Sequence, residues 1–363
     1  MADQGHEETE RLLKRLEAEI TKEYAQAERE IQKKLDDYLK RFKTKDELKQ
    51  KALKAGEITQ AEYDKWRLGQ LMIGQRWEEM KTSIAQDLAK YDQIAKSTAL
   101  GHMPDVYAIN HNYGTFQVEK AAKVDTSYTL YDRDTVENLL KDEEGNFIPL
   151  PGKKVRAAIN RGEAVAWNKK NVQSVMLQSI LQGESISGIA TRLSETVSES
   201  NRKAAIRNAR TMTTGVENAG RIGSYKRAED MGIVMQKQWL ATLDGRTRHE
   251  HRELDGQTVP VDANFEVDGY EIEYPGDPAA APEMIYNCRC TLIASLKGFE
   301  RDWSDHRDAD IEGKTYDEWK AEKESYSFPI TRQEDYSEQM RSKYIKEYQE
   351  YSKLGEENKR KKR

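Results

Sequence analysis

Residues 8–43, ETERLLKRLEAEITKEYAQAEREIQKKLDDYLKRFK, decide the fold class. Their apolar positions are Leu13, Leu16, Ile20, Tyr24, Ala27, Ile31, Leu35, Tyr38 and Phe42, with steps of 3, 4, 4, 3, 4, 4, 3 and 4. An 11-residue repeat lies close to the natural helical period, so the stripe runs nearly straight along a helix or winds slightly right-handed. The pattern predicts a long helix that is apolar on one face only. That face needs a partner, either later helices of this chain or another protein, and packing within one chain is the commoner outcome.

Downstream, Gly56-Glu57-Ile58-Thr59-Gln60-Ala61-Glu62 reads as a helix end and a restart. Gly56 suits a C-terminal cap, and Thr59 with Glu62 has the spacing of a capping box. Tyr63, Trp66, Leu71, Ile73, Trp77, Met80, Ile84 and Leu88 then recur at a roughly helical period. This predicts a second helix to about residue 100, ended by Gly101 and Pro104. Residues 105–164 are mixed, with a strand or extended arm at Ser127-Tyr128-Thr129-Leu130-Tyr131 and Asp134 as N-cap of a short helix over 135–140. Helices are expected over 168–182, capped near Gly183, then over 185–196 and 199–231, the last with Gly215, Gly220 and Gly223 as candidate kinks. After Gly232 the period changes. A strand at 234–241, a turn at Asp244-Gly245, a hairpin signal at Asp255-Gly256, a loop at Pro275-Gly276-Asp277-Pro278 and a last strand at 291–296 make a small β-rich lobe. Beyond residue 299 the chain is polar, with aromatic residues that predict weakly docking helical pieces, and it ends in a basic run, Lys359 to Arg363.

The reading is therefore a mainly α protein with a small β-rich C-terminal lobe, an α+β arrangement. Its regions are a long-helix part at 1–104, a mixed connector at 105–164, a helical 165–232 joined to a β-rich 233–298, and a polar tail at 299–363. Composition agrees. Of the 363 residues 37% are hydrophobic and 34% charged, against a usual apolar share of about 45–50%. Such a chain buries a core in places and leaves long helices solvated. The net charge of −5 excludes a wholly basic nucleic-acid coat but not a local basic surface. No apolar run is long enough for a membrane span, and the acidic N-terminus lacks a signal-peptide core. Two cysteines two positions apart are no disulfide framework. In a reducing cytoplasm, where synthesis is expected, they read as core thiols or half of a metal site.

Residues 236–292 carry an ordered series: Trp239, Asp244, Arg246, Arg248, His251, Asp255-Gly256, Phe265, Tyr274 to Pro278, and Asn287-Cys288-Arg289-Cys290. Upstream stand Asn208 to Thr214 and Glu217-Asn218-Ala219-Gly220-Arg221. Each motif alone is unspecific, but the ordered set resembles the phage Mu F-like head-morphogenesis domain over roughly residues 170–295. Residues 56–59 and 81–100 resemble its variant in phages of Gram-positive bacteria. The resemblance implies a minor head protein: a virion component inside the capsid near the portal vertex. Its partners would be the portal protein, with major capsid or scaffolding protein and packaged DNA as further candidates, and it would serve head morphogenesis, packaging or ejection. Related domains occur fused to toxin or ADP-ribosyltransferase modules. Here the residues after the domain are too few and too polar for an added enzyme core.

The chemistry-bearing residues admit two readings. Cys288, Cys290 and His251, with His249 or Asp244 as a fourth ligand, have the atom types of a structural zinc site. Against this, Cys-x-Cys is not the usual ligand spacing, and the alternative is two buried thiols beside a hydrogen-bonded histidine. A nuclease cluster of His249-Glu250-His251 with Asp244 and Asp255 lacks the His-Glu-x-x-His pattern and any nucleophile–base–orienter set, so the chain is expected not to be an enzyme. Arg246, Arg248 and Arg289 are expected to bridge Asp244, Asp255 and Asp262 within the lobe. Arg202, Lys203, Arg207 and Arg210, within the basic stretch 200–227, offer a stripe for DNA phosphates or an acidic portal surface, or else a solvated face. An internal DNA-binding virion protein is accordingly the alternative function, and a metal-dependent nuclease the distant one.

Overall fold

The computed structural model describes residues 3–126, 128–141, 160–296 and 313–324. The readings for Ser127, for 142–159, for 297–312 and for 325–363 lie outside the described residues. The described chain is mainly helical, with short antiparallel strands confined to its C-terminal part. It divides into two compact units, each drawn from separated segments: Leu13–Gly101 with Lys153–Arg210, and Met1–Leu12 with His102–Gly152 and Thr211–Arg363.

The first of these units is helical. Helix α1 (Gln4–Leu39) is followed by a 3₁₀ turn (Lys40–Phe42) and α2 (Lys43–Lys54). Every apolar position of the stripe from Leu13 to Tyr38 is buried, and Phe42 is partly so. The partner of the stripe is this chain: Ile31, Leu35 and Tyr38 share a core with Trp77, Ile84 and Met176. Lys34 reinforces the packing through its ion pair with Asp87, and Tyr24 donates to Asp92 at 3.1 Å. Gly56 ends α2 with φ +74°, which glycine adopts without strain. The Gly56 and Glu57 amides donate to the carbonyls of Leu53 and Ala52, a Schellman cap. Helix α3 (Gln60–Leu71) opens on the Thr59–Glu62 capping box.

The expected second helix is instead two. Gly74, at φ +95°, separates α3 from α4 (Gln75–Ala122). Nor do Gly101 and Pro104 end it, since α4 continues through both. An internal proline costs a helix about 3 kcal/mol. Here the turns beside it bury Met103, Val106, Tyr107 and Ala108, and that burial outweighs the lost bond. Helix α5 (Arg133–Leu139) is capped by Asp132, not Asp134: its carboxylate accepts from the Thr135 amide at 2.8 Å. Residues 128–131 form an extended arm without strand pairing. Helix α6 (Val165–Leu181) ends near Gly183 as expected. The two helices read over 185–231 are one, α7 (Ile186–Asp230), unbroken at its glycines. Those glycines serve close packing. A Cβ on Gly220 would lie 2.7 Å from the Tyr107 carbonyl oxygen, and one on Gly215 would lie 2.8 Å from that of Gly276.

The second unit holds the lobe. Strand β1 (Met235–Leu240) lies between β2 (Thr258–Pro260) and β5 (Thr291–Leu296), antiparallel to both, with Trp239 opposite Leu292. Between β1 and β2 comes the short helix α8 (His249–Leu254), so Asp255-Gly256 closes a helix and is not a hairpin turn. The hairpin of the lobe joins β3 (Phe265–Val267) to β4 (Tyr270–Ile272) through Asp268-Gly269, both at positive φ. After α9 (Pro282–Ile285) and β5, α10 (Tyr316–Glu324) docks firmly, contrary to the weak docking expected of the tail. Tyr316 and Trp319 are buried among Tyr113, Phe116 and Tyr128, and the Trp319 indole donates to Glu119 at 2.6 Å. No helix among the described residues is long and apolar enough to cross a membrane.

Candidate functional site

The Asn-Cys-Arg-Cys stretch is a turn that feeds β5. Asn287 sits at φ +53°, a left-handed position that asparagine tolerates better than most side chains. The Cys288 amide closes the turn on the Ile285 carbonyl at 3.2 Å. From there the side chains alternate. Cys288 and Cys290 turn inward, each 2% exposed, while Arg289 turns outward and forks onto Asp244 with two bonds of 2.7 Å. That fork, aided by the Arg246 amide, holds the Asp244 carboxyl far below the usual carboxylate range.

His251, on the buried face of α8, meets the two sulfurs. Its Nδ1 lies 3.3 Å from Cys290 Sγ and 3.6 Å from Cys288 Sγ, and its Nε2–H donates to the Met284 carbonyl at 2.8 Å. Trp239 presents its edge or face to the imidazole at 5.5 Å and to Phe265 at 5.3 Å, forming an apolar wall. The two thiols ionise differently. The Cys288 thiol donates to Cys290 and His251 lies beside it, and together they bring Cys290 down to about 5. The same hydrogen bond to Cys290 and its own burial push Cys288 well up.

The turn is fixed from behind by α7. Thr214 donates to the Cys288 carbonyl at 2.7 Å, and Asn218 to the Cys290 carbonyl at 3.3 Å. Thr242, after β1, donates to the Arg289 carbonyl at 2.6 Å. None of these supports was visible beforehand, because threonine and asparagine on a helix carry no spacing signature for a distant carbonyl.

The other expected residues have separate tasks. His249 is 73% exposed and pairs with Glu253, and Asp244 belongs to Arg289. Neither proposed fourth ligand therefore joins the histidine and cysteines. Asp255 accepts from the Ala241 amide at 2.8 Å, and Gly256, at φ +79°, donates to the Trp239 carbonyl at 2.8 Å. Arg248 reaches the Tyr286 carbonyl and Arg246 the Asp244 carboxylate, so among the described residues the expected arginine bridges form on Asp244 and not on Asp255 or Asp262. The basic stretch is partly neutralised. Lys203 pairs with Glu199, Arg210 with Glu17, and Arg207 bonds Asn208. Arg221 is fully buried and forks onto Asp3 at 2.6 and 2.7 Å. Arg202 is partly exposed on the same helix.

Comparison with known proteins accords with this geometry. Residues 170–293 match the family described as phage Mu protein F like protein. The chain is 28% identical over 276 residues to minor head protein GP7 of Bacillus phage SPP1, an alignment covering 75% of this chain and 83% of that protein. It is 30% identical over 211 residues to the NAD(+)–arginine ADP-ribosyltransferase EFV of Enterococcus faecalis. That alignment takes in 57% of this chain but spans only 41% of that relative's length. No solved structure matches. Residues 170–293 match the phage Mu F-like family, and the chain that carries them is similar over three quarters of its length to a phage minor head protein.

Proposed function

We propose that this minor head protein acts in head morphogenesis by associating with the portal protein inside the capsid, near the portal vertex, and that its role is structural and not catalytic. The observation that carries the reading is the alignment with a phage minor head protein over 83% of that protein's length. The state of the lobe's polar residues supports it. The groups that a nuclease would have to converge are committed elsewhere: Asp244 to Arg289, Asp255 to a backbone amide, His249 to Glu253. Neutralisation of Lys203 and Arg210 by Glu199 and Glu17 favours a protein partner over the DNA backbone for this region.

The test is co-expression of the full chain with the cognate portal protein, followed by affinity capture of either one. Co-purification in a fixed ratio is expected, and failure to co-purify at moderate salt overturns portal association. The same preparation is assayed for salt-sensitive DNA binding, for metal-dependent DNA cleavage and for NAD⁺ consumption. Strong DNA binding without portal capture would favour an internal DNA-binding role. Turnover lost in His251→Ala would overturn the structural one.

A further inference from the structure

We propose that His251, Cys288 and Cys290 bind one zinc ion that clamps the lobe to helix α7. The three residues come from different segments: α8, the turn after α9, and the entry to β5. All three are buried, and their ligand atoms lie within 4.8 Å of one another. A tetrahedral zinc with Zn–S of about 2.3 Å and Zn–N of about 2.0–2.1 Å needs an N···S edge of about 3.5 Å. The observed edges are 3.3 and 3.6 Å. The sequence objection to Cys-x-Cys loses force here, because the two inward positions of an alternating turn put both sulfurs on one side.

The surroundings have the form of a ligand support. His251 directs its second nitrogen to the Met284 carbonyl, the outer hydrogen bond that fixes a ligating imidazole with its other lone pair toward the metal. The carbonyls of both cysteines are held by Thr214 and Asn218 of α7, so the thiols approach from a fixed backbone. Charge also balances. On binding, whatever proton the two sulfurs still carry, that of Cys288 above all, passes to solvent, so a divalent ion meets two thiolates and a neutral imidazole, and the buried cluster carries no net charge. No fourth histidine, cysteine or acidic ligand joins the cluster among the described residues. Among those residues the fourth position is left to water.

The role follows from connectivity. An ion held at 251, 288 and 290 ties α8 to the turn before β5, and that turn is already hydrogen-bonded to α7. For a lobe of this size, such a clamp replaces apolar core that the short strands cannot supply.

The test uses the full chain, purified under reducing conditions and analysed by elemental mass spectrometry. About one zinc per chain is expected, falling to near zero in Cys288→Ser and in His251→Ala. Should those variants fail to fold, the native chain decides alone. Its metal is removed with a chelator in the presence of reductant, its two thiols are counted, and Co²⁺ is titrated in. A thiolate-to-cobalt absorption band that saturates at one equivalent, reversed by Zn²⁺, supports the site, as does a lower thermal midpoint in the metal-free chain. Absence of zinc together with absence of the cobalt band overturns it. So does a Cys288–Cys290 disulfide in the reduced preparation.

Discussion

Lys237 occupies an inner position of β1 between Met235 and Trp239, fully buried, and its ammonium has no hydrogen-bond partner among the described residues. Burial, helped by the like charge of Lys226, brings it down from the ordinary lysine value to about 8, against the pull of Glu273, Asp277 and Asp262. A buried ammonium without a hydrogen bond, held only over the Phe265 ring at 5.5 Å, destabilises the fold, so Lys237→Met should raise stability by about 1–3 kcal/mol, measured by urea unfolding. The pH dependence has a definite sign. With the folded value depressed, the unfolded chain binds more protons between about pH 8 and 10.5, so this residue's penalty shrinks as pH rises through that window. Lys237→Met should remove the rise, and an unchanged profile would refute the assignment. His6 behaves oppositely. The Glu217 carboxylate at 2.8 Å, aided by Asp3 and opposed by burial and Arg221, lifts the imidazole to about 9. The stabilisation is complete below the unfolded value near 6.5 and is lost as pH climbs through 9. Replacing the imidazole in His6→Gln should flatten stability between pH 6.5 and 9, as read by thermal midpoint across buffers. A slope that persists in the variant would assign it elsewhere.

At the scale of elements, glycine placement separates tolerant from intolerant positions. Gly276 sits at φ +81°, and a Cβ there would lie 2.6 Å from the Gly215 nitrogen, backbone against backbone in the loop packed on α7. Gly276→Ala should cost about 2–4 kcal/mol. Gly245 faces open space with no positive φ, and Gly245→Ala should stay within about 0.5 kcal/mol. Equal melting of the two variants would defeat the argument. The same contrast explains what sequence could and could not reveal. Helix α1 was legible because one face carries most of its large apolar residues, and the period records that directly. The continuity of α4 through Pro104 was not, because it depends on burial between segments distant in sequence. Asp255-Gly256 and Asp268-Gly269 are identical as dipeptides, yet only the second turns a hairpin. The first follows a short helix whose formation depends on burying His251 and Leu254. In the candidate site the residue types of the metal triad were legible, whereas its supports, the Met284 carbonyl, Thr214 and Asn218, became visible only with the tertiary structure. Arg221, within the basic stretch 200–227, is internal and forked onto Asp3, a partner over two hundred positions away that no local pattern reveals.

For the molecule as a whole, the family match and the folding units do not coincide. Residues 170–293 take one part from each compact unit. Within the helical unit, Val172, Met176, Ile180 and Leu193 belong to the matched region, but the core they complete includes Ile31, Leu35, Trp77 and Ile84, all outside it. In the other unit, Arg221 and Glu217 rely on Asp3, His6 and Asn110, again outside the match. Cutting the chain at 165–298 would therefore expose half of an apolar core and leave a buried guanidinium without its carboxylate. Each loss is comparable to the whole stability of a domain, about 5–15 kcal/mol. The excised segment should be aggregated or molten, with no cooperative thermal transition, while the full chain melts cooperatively. A truncation removing residues 1–43 should fail in the same way, since it deletes the buried stripe of α1, so it cannot serve as a surface variant in portal-binding work. Well-dispersed amide resonances from the isolated 165–298 segment would show that the matched region folds alone. The contribution of the N-terminal helices would then have to be sought in binding and not in the core.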